Sequence, residues 1–289
     1  MAQAVAVHGG RILAVGTDQE ILAYQGPETR IIDAGGASVV PGFIDAHQHF
    51  LMYGLLDRGI LNVAHPGVRS IVELLDGLMN ADRIMAENGI PSVHDAGSYN
   101  AQATAEIQDA CRKGLIHTRI RPMIFDMFGK ESGKAYIRSF IATGIHSGCG
   151  DDHFRIGHTK IMLDGRPSGP SCAAIQGYSH DPENHGIQAW QQEKADEIIL
   201  EARRAGFQVT AHAVDDKAVT IMLNAMRRPR RHSPVRTAAI ALSTAASLIQ
   251  RPLSALRSWV WCRYPTPPLS PSTAATTTVT TATGRIISS

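Results

Sequence analysis

The sequence predicts an α/β protein of parallel strands joined by helices, and three observations predict it. Five short apolar runs alternate with five amphipathic stretches between residues 43 and 226. Residues with ligating or acid–base chemistry gather at the carboxyl ends of those runs. No glycine-rich phosphate loop follows the first run. Two architectures share this rhythm, an open doubly wound sheet and a (β/α)8 barrel, and both place ligand sites at the carboxyl ends of their strands. The missing phosphate loop counts against a nucleotide-binding sheet.

Residues 4–40 read as small antiparallel strands punctuated by glycine pairs: AVAV, the HGG turn, RILAVG, then RIIDAGGASVV. From residue 41 the texture changes. FIDAH (43–47) is the first strand of the alternating series. Residues 70–89 predict a helix, with a Ser70-x-x-Glu73 capping box, apolar residues at Ile71, Leu74, Leu75 and Leu78, and Gly89 as a stop. IPSVH (90–94) is the second strand, and a helix over 104–114 ends at Gly114. RIRPMIF (119–125), a helix through 135–144 and FRIGHTKIMLDG (154–165) continue the series. Residues 189–206 carry the clearest helical period, FQVTAH (207–212) is the fifth strand, and 215–226 is the helix beyond it.

At Met226 the rhythm stops. Arginine, proline, serine, threonine and alanine dominate residues 227–289, where only 238–250 suggests a helix. Charge changes at nearly the same place. All 26 acidic residues lie at or before Asp216, whereas 217–289 hold ten basic residues and no carboxylate. The expected organisation is therefore an N-terminal strand segment (1–40), a strand–helix domain (41–226) and a basic, poorly ordered tail (227–289), whose composition is what a shifted reading frame would leave.

Composition excludes several classes. No run approaches the roughly eighteen apolar residues of a membrane span, and MAQAVAVHGG lacks a basic segment followed by an apolar one. A soluble, cytoplasmic protein without a membrane partner is expected. Cys111, Cys149, Cys172 and Cys262 show no Cys-x-x-Cys spacing and read as reduced thiols. RRPRR (227–231) is the one dense cationic cluster and lacks interleaved aromatics, so a nucleic-acid partner is not expected.

His47 and His49 stand two positions apart, so on a strand both face the same way, and converging imidazoles make half of a metal site. With 13 histidines in the chain such a pair also arises by chance, one ring bonded to a loop and the other solvated. His212 ends the fifth strand and could complete a metal site. His94 fits the same mouth, as a ligand or as a hydrogen-bonded support. Lys160 lies on an apolar strand, where a lysine is costly unless paired or neutralised. Two readings stay open for it: a metal-bridging group, carbamylated or not, and an ion pair with a carboxylate such as Asp164.

Together, PGFIDAHQH (41–49), ENGIPSVHDAG (87–97), HTKIMLDGRPSG (158–169) and GFQVTAHAVDDKAV (206–219) resemble, in order, the strand motifs of the amidohydrolase superfamily, family 3 branch, which includes N-substituted formamide deformylase-like enzymes. AVAVHGGRILAVGTDQEI and the segment after it look like that family's opening β-sandwich. The resemblance covers residues 4–226. It implies a partial TIM-type (β/α)8 barrel of about five strand–helix units after a remnant sandwich segment. It also implies His47, His49, His212 and Lys160 as metal ligands, Lys160 and Asp164 as catalytic residues, and a divalent metal, zinc first. The implied reaction is hydrolysis of a non-peptide carbon–nitrogen bond in a small amide-type substrate, by hydroxide generated at the metal.

The sequence departs from the family pattern in four places. It begins inside the sandwich. SIVELLDGLMN runs almost directly into ADRIMAENGI, where family members carry a longer cavity-shaping segment. Asp215 stands where glycine is usual, and no Arg-x-Glu-His or Ser-Asp motif follows the fifth unit. His232 falls near where the next ligand is due, without a recognisable strand around it. An incomplete catalytic set, impaired or absent activity, and self-association through open strand edges are the expectations. A non-enzymatic remnant or scaffold is the alternative.

Overall fold

The structure is a computed structural model and describes residues 2–57, 71–98, 100–126, 131–166, 169–227, 241–242 and 282–288. The chain forms two compact units, Met1–Gly42 with Pro265–Ser289, and Phe43–Tyr264.

In the first unit, β1 (Ala4–His8) and β2 (Arg11–Gly16) form an antiparallel hairpin whose turn residues Gly9 and Gly10 have φ of 56° and 73°, values that favour glycine. A short helix α1 (Asp18–Leu22) follows, which the sequence pattern does not announce. Thr17 and Glu20 close a capping box at its start. Strand β3 is Arg30–Val39 and β10 is Ala282–Ser288. The sheet order is β2-β1-β10-β3, with β10 parallel to β1 and antiparallel to β3. Ile21 of α1 packs with Ala4 and Ala6 on one face.

In the second unit, β4 (Ile44–Gln48), β5 (Ser92–Ser98), β6 (Arg119–Asp126), β7 (Thr159–Met162), β8 (Val209–His212) and β9 (Ala241–Leu242) pair in parallel in that order. Strands β4 to β8 are the five expected strands, curled as half of a barrel. Between them come α2 (Phe50–Asp57), α3 (Ile71–Glu87), α4 (Ala101–Arg112), α5 (Glu131–Ala142), α6 (Gln192–Arg204) and α7 (Asp216–Arg227). Five of these are the expected helices. Helix α2 is an addition, and it crosses α3 backbone to backbone: a Cβ on Gly54 would lie 1.9 Å from the Gly77 carbonyl oxygen, and Asn80 donates to the Gly54 carbonyl at 2.9 Å.

The core lies between sheet and helices. Val93, Ile120, Ile124, Ile161, Val209 and Ala211 of the strands meet Leu78, Ile107, Ile137, Ile198 and Met222 of the helices. The other sheet face carries the polar residues.

Two expectations fall on the tail. Within 238–250, the described pair Ala241–Leu242 is a strand beside β8, where the pairing edge of β8 outweighs local propensity, and the rest of the expected helix lies outside the described residues. Apart from β9 and β10, residues 228–289, with His232 and Cys262, lie outside the described residues, as does Ser70 of the expected capping box.

Candidate active site

His47 and His49 stand at the carboxyl end of β4, their ring centroids 5.5 Å apart and edge-on. The backbone there is fixed by short-range bonds. The His47 N–H donates to Asp45 Oδ1 at 3.0 Å, and the His49 N–H to Gln48 Oε1 at 2.9 Å. The next N–H, of Phe50, donates to Asp95 Oδ1 at 3.1 Å, so a buried carboxylate on β5 holds the start of α2 directly behind the histidine pair.

His49 Nδ1 is buried and has no hydrogen-bond partner. Its pKa falls to about 4. Burial is the main cause, followed by the positive charges of Lys160, His47, Arg166 and His212. The ring is therefore neutral at physiological pH and keeps a lone pair available. The charges of Lys160, His47, Arg166 and His212 thus all reach His49 at the mouth of the half-barrel.

Lys160 is 2% exposed. Its Nζ donates to the Ala96 carbonyl at 3.1 Å and lies 5.1 Å from the centroid of the Phe125 ring. Burial lowers its pKa to about 8, opposed by the charge of Asp95. Of the two readings left open for Lys160, an ion pair with Asp164 itself is absent among the described contacts; the carboxylate whose charge reaches Lys160 is Asp95, whose pKa burial raises to about 6. Sequence reasoning passed over Asp95. Its signal was its position in SVHDAG, one residue beyond His94.

Asp164 is fully buried and its carboxylate is occupied. It accepts from the N–H groups of Val214 at 3.1 Å, Asp215 at 3.0 Å and Ala173 at 3.3 Å, tying the long β7–α6 connection to the turn after β8. His212 Nε2 donates to the Gly165 carbonyl at 2.7 Å and stands 3.6 Å from Asp164 Oδ1. His94 departs from expectation. It pairs in register with Arg121, near the start of β6, and its ring neighbours His158, just before β7, at 5.5 Å. The register of β5 on β6 thus sets His94 among Arg121 and His158, a placement that a strand read in isolation does not give.

The donor set suits a divalent metal in kind: imidazoles, one of them neutral with an orphaned buried nitrogen, beside a lysine of lowered pKa. As placed, no three His, Cys, Asp or Glu groups among the described residues stand close enough to hold an ion. The bond from His212 to Gly165 keeps that third ring engaged.

The profile of the amidohydrolase family matches residues 69–275, more than half of the 289. The chain belongs to the amidohydrolase family. The match runs past Met226, where the recognisable motifs stop. Among curated relatives, an N-substituted formamide deformylase of Arthrobacter pascens is 54% identical over 75 residues, 26% of this chain and 14% of that protein. An imidazolonepropionase of Symbiobacterium thermophilum is 49% identical over 53 residues, 18% and 12% of the two. The aligned parts thus span a small fraction of these relatives' length. An uncharacterised metal-dependent hydrolase of Pyrococcus horikoshii has the same fold, with a TM-score of 0.61 at 13% identity over 78% of this chain and 67% of that one. Among the described residues, no helix of this amidohydrolase is long and apolar enough to cross a membrane.

Proposed function

We propose that this amidohydrolase hydrolyses a non-peptide carbon–nitrogen bond in a small amide or formamide, using a divalent metal, zinc first, held by His47, His49 and His212 beside Lys160. The observation that carries the reading is His49: neutral, half-buried, its buried Nδ1 without a protein partner, and within reach of the charges of the other three. A metal there would supply Lewis-acid polarisation of a carbonyl and a water acidic enough to ionise near neutral pH. The chain's own residues do the rest. Asp95 fixes the backbone behind the pair. Lys160 and Arg166 add positive charge at the mouth, favouring an oxygen-bearing substrate. His212 would have to release the Gly165 carbonyl to join the ligands. Asp164, expected as catalytic, acts by holding the Val214–Asp215 turn that follows His212.

Residues 217–289 contain no carboxylate, so they do not supply the late aspartate that the family resemblance expects as proton carrier. Losing a positioned acid–base group lowers turnover by about 10²- to 10⁴-fold, and impaired activity is part of the reading. A shifted reading frame accounts for the acid-free stretch; a coding sequence shown to be unbroken and correct there would sink that idea. The free thiols of Cys111, Cys149 and Cys172 support a cytoplasmic setting. Exposed Phe43 and Ile44 beside the edge strand β4 support self-association, which light scattering would test.

One observation favours a second reading, a metal-free scaffold: His212 is already bonded to Gly165. Zinc analysis of the purified chain, with a formamide and amide hydrolysis screen, separates the two. Stoichiometric zinc lost in the His47→Ala, His49→Ala double variant, with slow zinc-dependent hydrolysis in the parent, supports the enzyme. Folded protein without zinc or turnover supports the scaffold.

A further inference from the structure

A second polar cluster lies one layer beneath Lys160, on the same face of the sheet. His158 precedes Lys160 by two residues, about 7 Å along the strand. Its ring is 5.5 Å from that of His94, tilted by 46°. Arg121, in register with His94 on the intervening strand β6, completes the group, and its charge reaches both imidazoles.

The protein leaves two features of this cluster without a partner. The exposed side chain of Arg121 makes no hydrogen bond or ion pair with any described residue. Instead, burial and the neighbouring Arg155 both work against its charge. Arg155 itself is committed elsewhere, to Asp152 Oδ1 at 2.8 Å and the Asp151 carbonyl at 2.7 Å. His158 is only 7% exposed, and its Nδ1 is buried without a hydrogen-bond partner, an arrangement that generally costs stability. One carboxylate, Asp45, reaches His94 with its charge, and its Oδ1 already accepts the His47 N–H.

A small anion would resolve both features together. A guanidinium presents paired N–H donors that match two oxygens of a carboxylate or phosphate, and a neutral imidazole can donate from Nδ1. A cation would meet Arg121 unshielded. We propose that Arg121, His158 and His94 form a binding site for a small oxyanion of the phosphate or carboxylate type, on the amino-terminal side of the metal-site residues. Arg121 forks two of its oxygens and His158 donates to a third. Because the ligand replaces partners the protein lacks, its binding also stabilises the strands β5, β6 and β7 that meet there.

Calorimetric titration of the full chain with inorganic phosphate, and separately with acetate, at constant ionic strength tests this. The expected result is saturable binding of one or both anions, a higher unfolding temperature in that anion, and weakening by about tenfold or more in Arg121→Gln, with partial recovery in Arg121→Lys. Arg121 is exposed, so these variants fold, and thermal unfolding in chloride checks it. Zinc content should be the same in Arg121→Gln as in the parent, which separates this site from the metal reading. No saturable binding of either anion, or binding unchanged in Arg121→Gln, overturns the proposal.

Discussion

Every residue of β7 is buried and none of β4 is, although both strands carry candidate ligands. β7 lies inside the sheet, and its polar groups have found protein partners: Lys160 has the Ala96 carbonyl, and Asp164, just beyond the strand, has three backbone N–H groups. Among the described strands of its sheet β4 is the outermost, flanked by Phe43 at 64% exposure, and there His49 keeps a nitrogen that no described protein group satisfies. The contrast separates two kinds of polar residue. Groups satisfied by the chain hold it together, and groups left wanting are where a ligand can act.

The largest effect expected from this division is at Asp164. Replacing it by alanine orphans three backbone donors and should cost about 4 kcal/mol in denaturant unfolding, enough to threaten folding. An Asp164→Ala chain of parental stability that loses only activity would move Asp164 from the structural class to the catalytic one. Asp82 extends the logic to the approach to β6, where its carboxylate accepts from the N–H groups of Thr118 at 2.7 Å and His117 at 3.0 Å. Burial works against its ionisation, yet these bonds prevail and hold its pKa below the usual range. Its contribution is therefore complete above about pH 4 and is lost as pH falls through its lowered value. Asp82→Asn should cost about 2 kcal/mol at neutral pH and flatten the acid limb of the stability profile. An unchanged acid limb would break the account.

Smaller changes compare the two strands directly. Ile161→Val on β7 removes a methyl from the core and should cost about 1 kcal/mol. Ile44→Val on β4, at 58% exposure, should fall within about 0.5 kcal/mol of the parent. Equal losses at both positions would mean that β4 is covered by something outside the chain, such as a second copy.

Much of this was legible in the sequence, for identifiable reasons. The five parallel strands and their helices announced themselves because both sheet faces and each helix stripe are set by local apolar spacing, as at Ile71, Leu74, Leu75 and Leu78. Helix α2 did not, since FLMYGLLD is nearly apolar throughout and offers no period. β9 was hidden because two residues acquire strand character only by pairing with β8. At the site, the convergence of His47, His49, Lys160 and His212 followed from strand ends. Register decided what strand ends could not. It placed His94 beside Arg121 and His158, and it made Asp95 rather than Asp164 the carboxylate facing Lys160.

The central claim is that the imidazoles at the end of β4 hold a metal. Zinc-edge X-ray absorption on the zinc-loaded chain tests it most directly. The account predicts stoichiometric zinc with imidazole scattering that disappears, along with the bound metal, in the folded His47→Ala, His49→Ala variant. Zinc retained with an unchanged imidazole signal in that variant, or a folded parent that binds none, would contradict it.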